Sequence, residues 1–127
     1  MREKLYPPQI EGTLPAYCLG TTLSIPFVMN KTVGWNEIVG FSLKIKNISN
    51  NYLVVNLNTY SYDRENCIAF FSNVGNALTK GSSYKVQLAY LYREINSDVD
   101  LYGYYSTVGV IKCTETPVVS IVGLEGS

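Results

Sequence analysis

"SSYKVQLAYLY", residues 82–92, decides the fold of this 127-residue chain. In a β-strand, successive side chains point to opposite faces of the sheet. Tyr84, Val86, Leu88 and Tyr90 then share one side, and Lys85, Gln87 and Ala89 share the other. Large apolar and aromatic groups on one side, with Lys and Gln on the other, describe a strand lying over a core. They do not describe a row of rings displayed to solvent. Tyr84 heads the strand after the Gly-Ser-Ser loop. From there its ring can cover the end of the core while its hydroxyl reaches back to loop backbone. A buried phenol requires such a partner, because an unpaired buried hydroxyl costs ~1–3 kcal/mol.

Working outward, period-two alternation recurs and no stretch sustains helical periodicity. Residues 6–18, YPPQIEGTLPAYC, are broken by three prolines and predict an extended edge or irregular strand. In 21–30, Leu23, Ile25 and Phe27 are expected inward; Pro26 cannot donate to a ladder, so the strand needs a free side or a bulge there. "VGWNEI" has room for one short helical turn. Residues 40–48 are the cleanest strand, with Phe41, Leu43 and Ile45 opposed to Ser42, Lys44 and Lys46. Lys44 and Lys46 read as an ordinary solvated outer face. A long strand is expected over 52–62, with Leu53, Val55 and Leu57 on one side, and another follows the DREN turn at 67–74. The last spans 103–117, with Val108 and Val110 as its inward pair. About seven strands separated by turn signals predict an all-β protein, an antiparallel two-sheet β-sandwich.

The length corresponds to one domain with a core of useful size. Residues 1–118 are assigned to it. Residues 119–127 read as a linker or the start of a following module, because TPVVSIVGL repeats the character of PPQIEGTL; the closing Gly-Ser resembles a cloning scar. A formal charge of zero gives no electrostatic reason to seek nucleic acid or an anionic membrane. No secretory signal and no apolar run of spanning length is visible, so the expectation is either synthesis in a cytoplasm or a sequence given without its leader. The chain has no histidine, the commonest general base and transition-metal ligand. Cys18, Cys67 and Cys113 are scattered and odd in number, which argues against a disulfide framework or a structural zinc site and for thiols used as small apolar residues.

"LTKGSSYKVQLAY" and "GYYSTVGVIKCTETP" resemble the last two strands of fibronectin type III and related immunoglobulin-like domains. Leu78, Tyr84, Val86, Leu88, Ala89, Ser106 and Pro117 carry the match. It implies a tyrosine corner at Tyr84. The tryptophan usual on the second strand of such domains is absent; Phe27 is nearest, and Trp35 lies in a connection. Extra length between 47 and 80 leaves the strand order open. The openings MREKLYPPQI, IPFVMN and FSLKIK, with GYYSTVGVIK at the end, are similar to N-terminal segments of tailed-bacteriophage structural proteins. That resemblance implies an immunoglobulin-like module of a tail, baseplate or fibre protein, located in the virion and assembled in the host bacterial cytoplasm.

Several side chains are candidates for a site. Asn96, Asp98 and Asp100 alternate as the first ligands of a calcium loop do, but Gly103 comes late and no closing acid follows, so a solvated hairpin is the competing reading. Asp63 and Glu65 are the nearest approach to a carboxylate pair, yet they share one polar turn, whereas acid–base catalysis needs carboxyls across a cleft with separated pKa values. Tyr60, Tyr62, Tyr102, Tyr104 and Tyr105 are not required by the core, and Tyr60 and Tyr62 fall on one side of their strand. They form a candidate surface for a protein partner or for sugar stacking, beside the reading as cross-strand packing. No nucleotide, hydrolase or zinc motif is present. The expectation is a non-enzymatic structural or attachment module without cofactor. Its partners would be other virion proteins or neighbouring modules; the alternative is a carbohydrate-binding or adhesin module meeting host glycan through its tyrosines.

Overall fold

The structure, a computed structural model, describes residues 5–10, 14–29, 37–94 and 96–114. The expected turn around Trp35, the opening residues 1–4, Pro117 and the proposed following module at 119–127 lie outside the described residues. Among the described residues ten strands form: β1 (Gln9–Ile10), β2 (Tyr17–Cys18), β3 (Leu23–Val28), β4 (Ile38–Asn47), β5 (Leu53–Thr59), β6 (Tyr62–Asp63), β7 (Ile68–Phe71), β8 (Ser83–Tyr92), β9 (Leu101–Tyr102) and β10 (Gly109–Thr114). Each of the seven expected stretches contains strand, two of them are split in two, and β9 lies in what was expected to be a connection before 103. Among the described residues no helix is long and apolar enough to cross a membrane, which leaves strand-built crossings unaddressed.

One sheet runs β1-β3-β7-β6 and the other β2-β10-β8-β4-β5, with β9 beside β8. The fold is therefore all-β and sandwich-like, with one core between the sheets. Leu23, Ile25, Phe27, Ala69 and Phe71 enter it from the first sheet, and Phe41, Leu43, Ile45, Tyr84, Val86, Leu88 and Tyr90 from the second. Phe27 and Phe41 meet across the gap with ring centroids 4.7 Å apart, and Phe41 also touches Tyr90 at 5.7 Å. Such ring pairs add ~0.5–1.5 kcal/mol beyond the area they bury.

The alternation read for β3, for β4 from Leu43 onward and for β8 up to Leu88 matches the burial, whereas Ser42 and Ala89 are buried on the side read as outer. The Phe27 amide donates to the carbonyl of Cys67, the residue just before β7, at 3.0 Å. Because successive amides point to opposite edges, Pro26 turns its nitrogen toward the β1 side, where described pairing stops at Ile10–Phe27.

Four expectations are corrected. First, the sandwich is not wholly antiparallel: β2 runs parallel to β10, pairing Tyr17 with Cys113 and Cys18 with Thr114. The proline-broken segment explains this, since β1 joins the first sheet and the chain then reaches the second, arriving beside β10 in the same direction. Second, the 52–62 stretch is not one strand. β5 ends at Thr59, and β6 joins the opposite sheet by pairing Tyr62 with Ala69 on β7. Third, Leu53 faces outward. The register shifts between Ile45 and Lys46, which sets Leu53 opposite outward-facing Lys46, whereas Val55 stays opposite buried Ile45. Fourth, Val108 and Val110 are exposed, and Ile111 and Cys113 are buried instead.

The last correction is read from the register. Between the pairs Leu91–Tyr102 and Val86–Gly109, β8 advances five residues while the returning strand advances seven. Two residues are accommodated as a bulge in 103–108; an even insertion keeps the alternation in phase, so Gly109 and Ile111, opposite core-facing Val86 and Tyr84, point inward and Val110 points outward. Ser106 holds this bulge to β8. Its amide donates to the Leu88 carbonyl at 2.8 Å, and its hydroxyl accepts the Leu88 amide at 2.8 Å. A side chain thus takes the place of a missing ladder acceptor, and the group is fully buried.

Candidate functional site

The bulge aims two tyrosines away from the ladder. Tyr105 folds over the outer face of the second sheet, where its hydroxyl is 2.6 Å from that of Ser42 and the Lys44 ammonium sits 4.2 Å from its ring centroid. Ser42 and its ladder partner Ala89 are both fully buried although they point away from the core. Small residues at this pair leave room for the ring, and burial raises the Tyr105 phenol pKa, with the Ser42 hydrogen bond opposing that shift. Tyr104 turns outward, 51% exposed, and its ring lies 5.9 Å from that of Tyr6. The Tyr104 amide donates to the Leu5 carbonyl at 2.8 Å, and the Gly103 amide to the Tyr90 carbonyl at 2.9 Å, which fixes the segment at both ends. A Cβ at Gly103 would press on the Leu5 carbonyl oxygen at 2.9 Å, so only glycine lets the two backbones approach this closely.

Two clefts flank this ridge of rings. A cleft of about 500 Å³ runs along Tyr6, Pro7, Pro8, Val28 and Met29. The other, about 350 Å³, is lined by Lys44, Asn56, Tyr102, Gly103, Tyr104 and Tyr105. Tyr102 stands at the rim of the second, its hydroxyl accepting from the Asn58 amide nitrogen at 3.3 Å. Tyr60 is exposed and donates to Asp100 at 2.8 Å, an interaction that raises the phenol's pKa. Arg93 closes this network on the other carboxylate oxygen of Asp100, and its guanidinium holds that carboxyl below the usual range.

Of the five tyrosines singled out in the sequence, the structure brings Tyr102, Tyr104 and Tyr105 into one cleft and places Tyr60 nearby on Asp100. Tyr62 parts from Tyr60. It packs edge-on against Phe41 with ring centroids 5.3 Å apart and donates to the Ile38 carbonyl at 3.2 Å. The chain crosses between sheets after Thr59, so the two residues no longer share a strand face. Tyr84 is buried in the core, and its hydroxyl accepts the Thr79 amide at 2.9 Å.

The acidic candidates are spread out. Asp98 is exposed, Asn96 occupies a left-handed turn position with φ 66°, and Asp100 serves Arg93 and Tyr60. Asp63 caps its own turn by accepting from the Asn66 amide at 3.0 Å and side chain at 2.7 Å; these bonds lower its pKa. Glu65 is exposed in the same turn. Among the described residues no three His, Cys, Asp or Glu side chains converge as a metal site would need. The cysteines are free, Cys113 buried and the other two half-buried, and burial raises the Cys113 thiol. No protein-family model matches this chain, and no curated protein matches it. The site therefore stands on its geometry.

Lys44, Asn56 and Gly103 were not among the residues that the sequence singled out for the site. The one available signal was the doublet of small residues, Ser42 and Ala89, each set between large neighbours in its strand.

Proposed function

We propose that this chain is a non-catalytic, immunoglobulin-like module of a tailed-phage virion protein that acts through contacts with other virion proteins or neighbouring modules. Three features support the immunoglobulin-like reading. The N-terminal stretch divides between both sheets, β2 runs parallel to the last strand, and the Tyr84 hydroxyl bonds to backbone five residues upstream in the manner of a tyrosine corner. The virion assignment rests on the sequence resemblance.

The observation that carries an attachment role is the edge at β5. This seven-residue strand ends its sheet, and Ile48, Tyr52 and Leu53 are exposed at its start. Ladder groups beside exposed apolar side chains suit addition of a partner strand. The test is to read the genes on either side and co-express their products with the chain. Tail, baseplate or capsid genes are expected there, with a complex that a Tyr52→Asp/Leu53→Asp double variant weakens at least tenfold. A neighbourhood without virion genes, or a complex indifferent to the double variant, overturns the reading.

A further inference from the structure

The outer face of the second sheet carries charge of one sign. Side chains of β4, β5 and β8 that point away from the core include Lys44, Lys46 and Lys85 with Asn56, Asn58 and Gln87, and none is Asp or Glu. Lys46 and Lys85 stand directly opposite each other in register, an arrangement that destabilises a sheet in the absence of a counter-charge. The Lys85 ammonium donates to the Asn51 side-chain oxygen at 3.1 Å, and Lys44 rests on the Tyr105 ring; neither meets a carboxylate in these contacts. Asp100, the acid on the Tyr60 side of this face, is already paired with Arg93.

The cleft beside Lys44 combines three complementary surfaces: the exposed faces of Tyr102 and Tyr104, the Asn56 amide and the ammonium. Its volume, about 350 Å³, falls at the small end of the ~300–1,000 Å³ typical of ligand clefts. That is room for a terminal sugar and not for a long enclosed chain. We propose that this cleft binds the carboxylate-bearing end of an acidic glycan. The apolar C–H face of the sugar lies against Tyr104, its hydroxyls meet the Asn56 amide and the Tyr102 phenol, and its carboxylate meets Lys44. Tyr105, pinned by Ser42, positions Lys44 and does not itself need to move. The zero net charge of the chain and the amides flanking the lysines favour a hydroxyl-rich ligand over a nucleic-acid backbone, which is held by longer cationic tracks. The inference does not depend on the virion reading; a chain of any origin with this face would have the same preference.

The experiment is titration calorimetry on the full chain with four probes: sialyllactose, trigalacturonic acid, neutral lactose and a single-stranded oligothymidylate. At least one acidic sugar is expected to bind, at least tenfold more tightly than lactose and more weakly as salt rises. Lys44→Ala and Tyr104→Ala should each weaken that binding at least tenfold, while Lys112→Ala, which removes an exposed lysine of β10 outside the cleft lining, leaves it unchanged. Tyr104 is half-exposed, so its truncation keeps the test open if Lys44→Ala disturbs folding. Binding to neither acidic sugar, equal binding of lactose, tighter binding of the oligonucleotide, or acidic-sugar binding that survives both variants would each overturn the proposal.

Discussion

Replacing Ser106 by alanine removes one oxygen from the middle of the protein. The Leu88 amide that it accepts is buried in β8, between β4 and the bulge. The lost partner leaves a buried N–H unsatisfied, which costs ~1–3 kcal/mol. Unfolding entropy of about 2.1 cal/mol/K per residue gives about 0.27 kcal/mol/K for a chain of this length. A mid-range loss of ~2 kcal/mol then lowers Tm by ~7 °C. The assay is thermal unfolding followed by circular dichroism, together with amide hydrogen exchange. Exchange at Leu88 should accelerate more than at Val86, which is held by the regular ladder to Gly109. A Tm within ~1 °C of wild type, or unchanged protection at Leu88, would refute the claim that a side chain substitutes for the ladder acceptor here.

Three further outcomes are expected. Tyr84→Phe should cost only about 1 kcal/mol, because Thr79 is exposed and water can take over its amide; a loss as large as that of Ser106→Ala in the same melt would contradict this. Gly40→Ala should destabilise by ~1–3 kcal/mol, since a Cβ there runs into the Thr59 carbonyl oxygen where β5 leaves its partner, and a denaturant midpoint equal to wild type would show the backbone yielding freely. Asp100 has its pKa lowered by Arg93, so its stabilising contribution is complete above the ordinary carboxylate value and is lost as pH falls through the depressed one. The Tm difference between wild type and Asp100→Asn should accordingly be small and salt-sensitive at neutral pH and should close in acid; a gap that widens in acid would reverse the sign.

The central strands were legible because both their neighbours and their layers impose period two. Phe41, Leu43 and Ile45 in β4 and Tyr84, Val86 and Leu88 in β8 are all fully or nearly fully buried, as their alternation requires. The last strand was misread because both of its alternating sets are apolar. Val108 and Val110 compete with Ile111 and Cys113, and it is the pairing of Gly109 and Ile111 with core-facing Val86 and Tyr84 that decides which set lies inward. Tyr60 and Tyr62 likewise looked like one face until the chain changed sheets between them. The cleft was the least legible feature. Its lysine and its rings come from strands far apart in sequence, and their meeting depends on the bulge, which is a property of backbone register and not of residue type. Tyr102, Tyr104 and Tyr105 could be flagged as surplus to the core, but not Lys44 as their neighbour.

The parallel pairing of β2 with β10 has a mechanical consequence. The Leu19 amide continues that pairing by donating to the Thr114 carbonyl at 2.8 Å. Tension pulling backward on the segment before β2 and forward on the segment after β10 drives two parallel strands past each other. Their cross-links are then strained together and not peeled one at a time, as an end hairpin would be. A module strung in series through these two segments would resist stretching at its own terminal seam, leaving the outer face of its larger sheet undistorted under load.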